Sequence, residues 1–68
     1  MLVLRNDPPS RQSYQAWGLR EGDAVSLGVT TGRTLRFDSS GFDSIGISLE
    51  PGDGSTSPTL LVGGAPVL

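Results

Sequence analysis

The spacing of glycine and proline constrains this chain more than any other feature. Ten glycines and five prolines divide its 68 residues into short runs that are rich in aliphatic and aromatic residues and threonine. Runs of about 4–8 such residues between turn-forming residues are typical of β-strands, and no stretch repeats the i, i+3, i+4, i+7 apolar pattern of a helix. The sequence therefore predicts an all-β fold with five or six short strands.

The predicted strands are the runs between these breaks, and turns are expected at residues 21–23, 31–32 and 51–55. The runs are 1–5, 13–20, 25–30, 33–38, 44–49 and a final segment within 60–68. Period-two alternation predicts which residues point inward. The inward set is Val25, Leu27, Val29, Leu35, Phe37, Ile45, Ile47 and Leu49. The outward set includes Ser26, Gly28, Thr30, Ser44, Gly46 and Ser48.

Run 13–20 differs from the others because it has apolar groups on both faces, which predicts a strand covered on both sides or one crossing a sheet edge. Trp17 can bury on the order of 200 Å² and is predicted to be the central core residue. Phe42 is expected to plug the core from a loop. Strands with apolar faces must bury those faces together, so we expect a small antiparallel β-sandwich (Ig-like) or a partly closed barrel.

Composition limits both the stability and the partners of this chain. It has no Cys and no His, and five arginines oppose seven acidic residues, for a net charge of −2. At this length only about 60% of the unfolded surface can be buried. Neither a disulfide nor a Cys/His zinc site can add stability. Association with a partner, or with more of its own chain, is the remaining way to stabilise the fold. Scattered arginines in an acidic chain do not make the cationic footprint that nucleic acids or anionic membranes require.

A search for catalytic or ligand-binding groups predicts none. Serine nucleophiles would have neither His nor Lys as a base. The nearest carboxylate pairs are Asp38 with Asp43 and Glu21 with Asp23, and both lie in turn-forming sequence, where Asp typically caps its own backbone. The Asp-Gly-Ser run at residues 53–55 resembles part of a calcium loop but lacks the further acids at alternating positions. We expect no catalytic residue, no metal site and no cofactor.

Four segments occur in an order and spacing that match one protein family. They are Tyr-Gln-Ala-Trp at 14–17, Ala-Val-Ser-Leu-Gly at 24–28, Phe-Asp-Ser-Ile-Gly-Ile-Ser-Leu-Glu-Pro-Gly at 42–52, and Ser-Pro-Thr at 57–59. Together they resemble the C-terminal domain of the anti-sigma-K factor family (RskA-like) over nearly the whole chain. The family supplies no catalytic residues. The signature positions are Tyr14, Gln15, Trp17, Glu50 and Pro51. We interpret all five as structural, with Glu50 accepting hydrogen bonds at a strand end and Pro51 ending the ladder.

The resemblance implies a function for the protein of which this chain is one domain. Family members look like single-pass membrane regulators, in which a cytoplasmic helical domain holds a sigma factor and a β domain lies outside the membrane. Stepwise proteolysis releases the sigma factor. Residues 1–68 would then be the non-enzymatic extracytoplasmic domain alone, soluble by itself. Sigma-factor binding and membrane attachment would belong to a domain and a transmembrane helix absent here.

The resemblance also implies an open edge. The family's domain usually has further β-sequence before the first run, so the chain is expected to lack N-terminal strands. Missing strands expose ladder edges and apolar surface that pair with other chains. We therefore expect a homo-oligomer, in the form of a two-fold dimer.

Two other classes of function compete with this interpretation. A generic Ig-like interaction or adhesion module of a secreted protein would look alike in isolation. The upstream sequence would discriminate the two, since about 20 apolar residues indicate a membrane span whereas a cleavable signal peptide indicates secretion. A small barrel that binds single-stranded nucleic acid is disfavoured by the sequence pI of about 4.6 and by the few aromatic residues.

Overall fold

The computed structural model describes residues 2–66, which form six β-strands. They are β1 (Leu2–Val3), β2 (Gln12–Arg20), β3 (Asp23–Thr30), β4 (Thr34–Leu35), β5 (Ser44–Pro51) and β6 (Leu61–Pro66). The strands make a four-stranded antiparallel sheet of order β3-β2-β5-β6 and a two-stranded ribbon of β1 and β4. The predicted all-β sandwich of five or six strands is confirmed. Met1 of the first predicted run and Val67 and Leu68 of the last lie outside the described residues.

The described part of the chain has no helix with the length and apolar character needed to cross a membrane.

The turn between β2 and β3 is the predicted one. Arg20 pairs with Asp23, and the two residues between them have positive φ, at 53° for Glu21 and 85° for Gly22. Two successive left-handed residues are what a tight two-residue hairpin turn requires, because their twist matches that of the flanking strands.

A β-bulge interrupts the alternation of β3. The register between β2 and β3 shifts between Ala16 and Trp17, which leaves Leu27 without a partner on β2. One extra residue reverses the side on which later side chains lie. Val25 and Val29 therefore lie on opposite faces of the sheet and are 49% and 41% exposed. The prediction that Val25, Leu27 and Val29 share one buried face is wrong.

One face of the four-stranded sheet carries the hydrophobic cluster and is called the apolar face below. Ala16 and Ile47 of the sheet and Leu35 of β4 form its centre, each at most 4% exposed. Partly buried residues from both layers pack against them. These are Leu2, Leu4, Tyr14, Leu27, Phe37 and Ile45. The β1–β4 ribbon thus covers this face, and the inward positions predicted for Ile45, Ile47, Leu35 and Phe37 are confirmed.

The opposite face of the sheet is called the polar face, and its central part is also buried. Five of its side chains are at most 2% exposed, and they are Ser13, Gln15, Trp17, Ser48 and Glu50. Residues 52–60, called the strap below, run back across this face and bond to it. Trp17 is fully buried, but it is not the centre of the apolar cluster, because odd-numbered residues of β2 point away from Ala16.

Phe42 packs against the apolar face where β2 ends. Its ring lies so close to Gly18 that an added Cβ would be 2.6 Å from three ring carbons. Phe42 is only partly buried and is not a member of the cluster, so it closes one end of the sheet rather than filling the centre. Glycine at position 18 is what makes room for this ring.

Candidate functional site

The family-signature residues come together where the start of β2 runs beside the end of β5. These strands are antiparallel neighbours, with Ser13 opposite Glu50 and Tyr14 opposite Leu49. Gln15, Trp17 and Glu50 lie on the polar face. Tyr14 lies on the other face and packs against the apolar cluster. Pro51 is the last residue of β5 and is exposed.

The Glu50 carboxylate is the centre of the polar face. Oε1 accepts hydrogen bonds from Ser55 Oγ at 2.8 Å and from Thr59 Oγ1 at 2.7 Å. Oε2 accepts one from the Thr59 backbone N–H at 2.8 Å. All three donors belong to the strap, and hydrogen bonds to an ionised acceptor are roughly twice as strong as neutral ones. A single carboxylate therefore fastens both halves of the strap to the end of β5.

Two opposing influences set the protonation of Glu50. Desolvation by burial is the largest and would raise the pKa of Glu50 by itself. Hydrogen bonds from Ser48, from the Thr59 hydroxyl and backbone and from Ser55 together outweigh it and lower the pKa from 4.5 to about 2. The group is thus an ionised acceptor at neutral pH, which suits it to holding structure and not to proton transfer.

Gln15 binds the middle of the strap through its side-chain amide. Nε2 donates to the Ser55 carbonyl at 3.1 Å and to Ser26 Oγ at 2.7 Å, and Oε1 accepts from the Ser55 N–H at 2.8 Å. The amide pairs with both backbone groups of Ser55, much as a neighbouring strand would. Ser55 is therefore fixed twice, by Gln15 through its backbone and by Glu50 through its hydroxyl.

Trp17 extends this network under the strap. Its indole Nε1 donates to Ser48 Oγ at 2.7 Å, and the Ser48 hydroxyl is one of the groups that lower the pKa of Glu50. At the start of the strap Ser13 Oγ donates to the Gly52 carbonyl at 2.7 Å. Among the described residues every buried side-chain nitrogen and oxygen has a partner. Such fully satisfied networks rigidify a fold, because leaving any member unpaired is costly.

Gly54 is the position where the strap comes closest to the sheet. Its φ is +87°, and its N–H donates to the Pro51 carbonyl at 2.7 Å to close the turn. A Cβ at this position would be 2.9 Å from Gln15 Oε1 and 2.9 Å from Val29 Cγ2. Glycine is required here for both conformation and space.

The other acidic residues weighed as candidates lie in turns or at their edges. Asp38 is exposed, and hydrogen bonds from the Ser40 side chain and backbone lower its pKa. Further exposed acids are Glu21, Asp23, Asp43 and Asp53. Within residues 2–66 no three of the acidic side chains cluster in a way that could hold a metal ion.

Sequence reasoning missed the serines and the threonine of this network. Ser48 was predicted to point to solvent, and that prediction is wrong, because its side chain is fully buried on the polar face and accepts a hydrogen bond from Trp17. Gly46, also predicted outward, is buried beside the side chains of Leu19 and Leu61. One signal in the sequence could have indicated a buried face here. Gln15 and Trp17 alternate along β2 and so share this side of the sheet, and a large indole is unfavourable on an exposed face.

The comparison with known families agrees with the four segments noted in the sequence. The chain matches the family described as "Anti-sigma-K factor rskA, C-terminal" over residues 1–67. No curated protein and no solved structure gives a significant match. The matched range includes both sheets and the strap, so the whole polar network lies inside it.

Proposed function

Because the chain belongs to the anti-sigma-K factor family, as its C-terminal domain, we propose that it is the non-enzymatic extracytoplasmic domain of a membrane-anchored anti-sigma factor. In this proposal the parent protein regulates sigma-factor-dependent transcription and is itself controlled by proteolysis. The sigma factor binds a different domain of the parent, and a transmembrane helix of the parent holds this domain at the outer face of the membrane.

One observation supports the proposal that the domain acts through its folded state, and not through a reactive site. The polar side chains of the family signature, Gln15, Trp17 and Glu50, are all buried and bonded within the fold. Glu50 is ionised and surrounded by donors from the strap, so it is not free to act as an acid or a base near neutral pH. These contacts favour a role in which folding itself is the regulated property.

The strap is the part of the molecule whose opening would matter most. It is held mainly by hydrogen bonds, and its exposed residues include Asp53, Thr56 and Ser57. Segments with few buried apolar contacts open at a lower free energy than the core of the same domain. Opening would uncover the polar face and free the segment leading into β6, and cleavage by a protease follows the population of such open states.

The proposal is tested in the parent protein in cells. Glu50→Gln weakens the anchor of the strap, whereas Glu21→Gln makes the same chemical change at an exposed turn residue. We expect Glu50→Gln to shorten the lifetime of the parent after translation is blocked and to raise expression from a sigma-dependent reporter. Glu21→Gln should behave as the wild type. Equal lifetimes and reporter levels, with the isolated Glu50→Gln domain measurably less stable, would contradict the proposed role.

A further inference from the structure

The outer edge of β6 is an interaction surface separate from the polar face. Within residues 2–66 this strand pairs only with β5, so its other side is an open edge of the four-stranded sheet. Three large hydrophobic side chains in succession are exposed at this strand. They are Leu60, Leu61 and Val62, at 58%, 57% and 49% exposure. An edge that is apolar and unpaired is a template for another strand.

The two edges of the sheet are protected to very different degrees. Natural edges are commonly blocked by charges, bulges or covering segments. The β3 edge has all three. It begins at the exposed Asp23 and has a bulge at Leu27. The chain after β4 lies close to it, since a Cβ at Gly28 would be 3.9 Å from the Arg36 carbonyl oxygen. The β6 edge has no charge, since residues 54–68 contain no ionisable side chain.

β6 also has a bulge, so its edge differs from that of β3 in charge rather than in regularity. A register shift opposite Ile47 and Ser48 leaves Val62 out of the ladder, and regular pairing with β5 then continues from Gly63 to Pro66. Gly63 and Gly64 present no side chain, so another backbone can approach this stretch closely. The apolar side chains at 60–62 lie directly before it.

We propose that β6 pairs in antiparallel fashion with β6 of a second copy of this chain about a two-fold axis. The charge pattern favours this edge over the acidic parts of the surface for contact between two copies. The chain carries a net charge of −2, so copies that met through acidic surfaces would repel, whereas the neutral β6 edge brings no like charges together. An antiparallel edge is self-complementary under two-fold symmetry, and two four-stranded sheets would join into one sheet of eight strands.

The test is the oligomeric state of the 68-residue chain, measured by sedimentation at concentrations from about 1 to 100 μM, the range of weak to moderate dimers. We expect the mass to double with concentration. Val62→Lys should give a monomer with an unchanged circular dichroism spectrum. Val25→Lys is the matched control, because Val25 is equally exposed, at 49%, but lies on the β3 edge. It should dimerise as the wild type does.

Hydrogen exchange of the wild type locates the contact independently of whether the variants fold. Amides of residues 61–65 should be more protected at high than at low concentration, with little change in β3. A chain that remains monomeric at all concentrations overturns the proposal. So does a dimer that Val25→Lys dissolves and Val62→Lys leaves intact, or concentration-dependent protection that appears elsewhere than in β6. The dimer does not depend on the proposed function, and either can fail without the other.

Discussion

The two faces of the four-stranded sheet are both buried, but by different kinds of interaction. The apolar face is covered by the β1–β4 ribbon, which packs aliphatic side chains around Ala16 and Ile47. The polar face is covered by the strap, which is fastened through Gln15 and Glu50. Burial of hydrocarbon scales with area and does not depend on pH. The polar face depends on one ionised carboxylate and on exact pairing, so it is the part of the domain that small changes can release.

The largest expected effect is on the apolar face. Ile47→Ala removes a side chain that is only 4% exposed and leaves a cavity. We expect a loss of about 2–5 kcal/mol in the free energy of unfolding. Urea denaturation followed by the fluorescence of Trp17 measures it, with Val25→Ala as the exposed control. A loss below about 1 kcal/mol would show that the cluster is not the main source of stability.

Next in size is the fit of the strap, which a pair of glycines tests. Gly54 and Gly22 have nearly the same φ, +87° and +85°, but a Cβ at Gly22 meets no atom within 4 Å. Gly22→Ala should cost about 1–2 kcal/mol for the left-handed backbone alone. Gly54→Ala should cost a further 1–3 kcal/mol or so, because its Cβ overlaps Gln15 and Val29. Equal losses of unfolding free energy in the two variants would mean that the strap is not tightly seated.

The anchor of the strap should give a smaller effect that depends on pH. Glu50→Gln replaces one acceptor oxygen by a donor that faces donors, and we expect a loss of about 1–3 kcal/mol at pH 7. The pKa of Glu50 is lower in the folded state, at about 2 against 4.5. The carboxylate's contribution is therefore present above pH 4.5 and is lost as the pH falls towards 2. Unfolding measured across this range should show the variant and the wild type converging at acid pH.

A pH-independent gap between Glu50→Gln and the wild type would contradict the electrostatic part of this prediction. Glu21→Gln serves as the control, since Glu21 is exposed in the β2–β3 turn. Its effect on the free energy of unfolding should stay within about 0.5 kcal/mol.

The smallest effect is expected from a single donor to the carboxylate. Thr59→Val removes the hydroxyl that bonds to Glu50 Oε1 but keeps the backbone N–H that bonds to Oε2. The loss should be about 0.5–1.5 kcal/mol. The pKa of Glu50 should rise, because one of the bonds that favour its charged form is gone. Thermal unfolding measures the loss, with the exposed Thr56→Val as the control. Equal stability of the two variants would show that the Thr59 hydroxyl does not contribute to the network.

The comparison of the two faces also separates what the sequence could predict from what it could not. The inward positions of Ile45 and Ile47 on β5 and the turn at Glu21 and Gly22 follow from local patterns, and both predictions are correct. The bulge at Leu27 depends on how β3 pairs with β2, so period-two counting placed Val25 and Val29 on one face when they lie on two.

The polar face was harder to predict because its contacts are remote in sequence. Gln15 and Ser55 are separated by 40 positions, and nothing local indicates that the strap folds back over the sheet. A serine at a strand's alternate position normally indicates a solvent-facing side, which is why Ser48 was misplaced. The four family segments did place Gln15, Trp17 and Glu50 in one set, although they carried no information about the geometry that joins them.

Titration of the Glu50 side-chain carboxyl by carbon-detected NMR tests the central claim most directly. If an ionised Glu50 fastens the strap to the polar face, its pKa is about 2 in the folded domain, and the Ser55 and Thr59 amide resonances change together as it is protonated. A pKa at or above 4.5, or protonation that leaves those two amides unchanged, would contradict it.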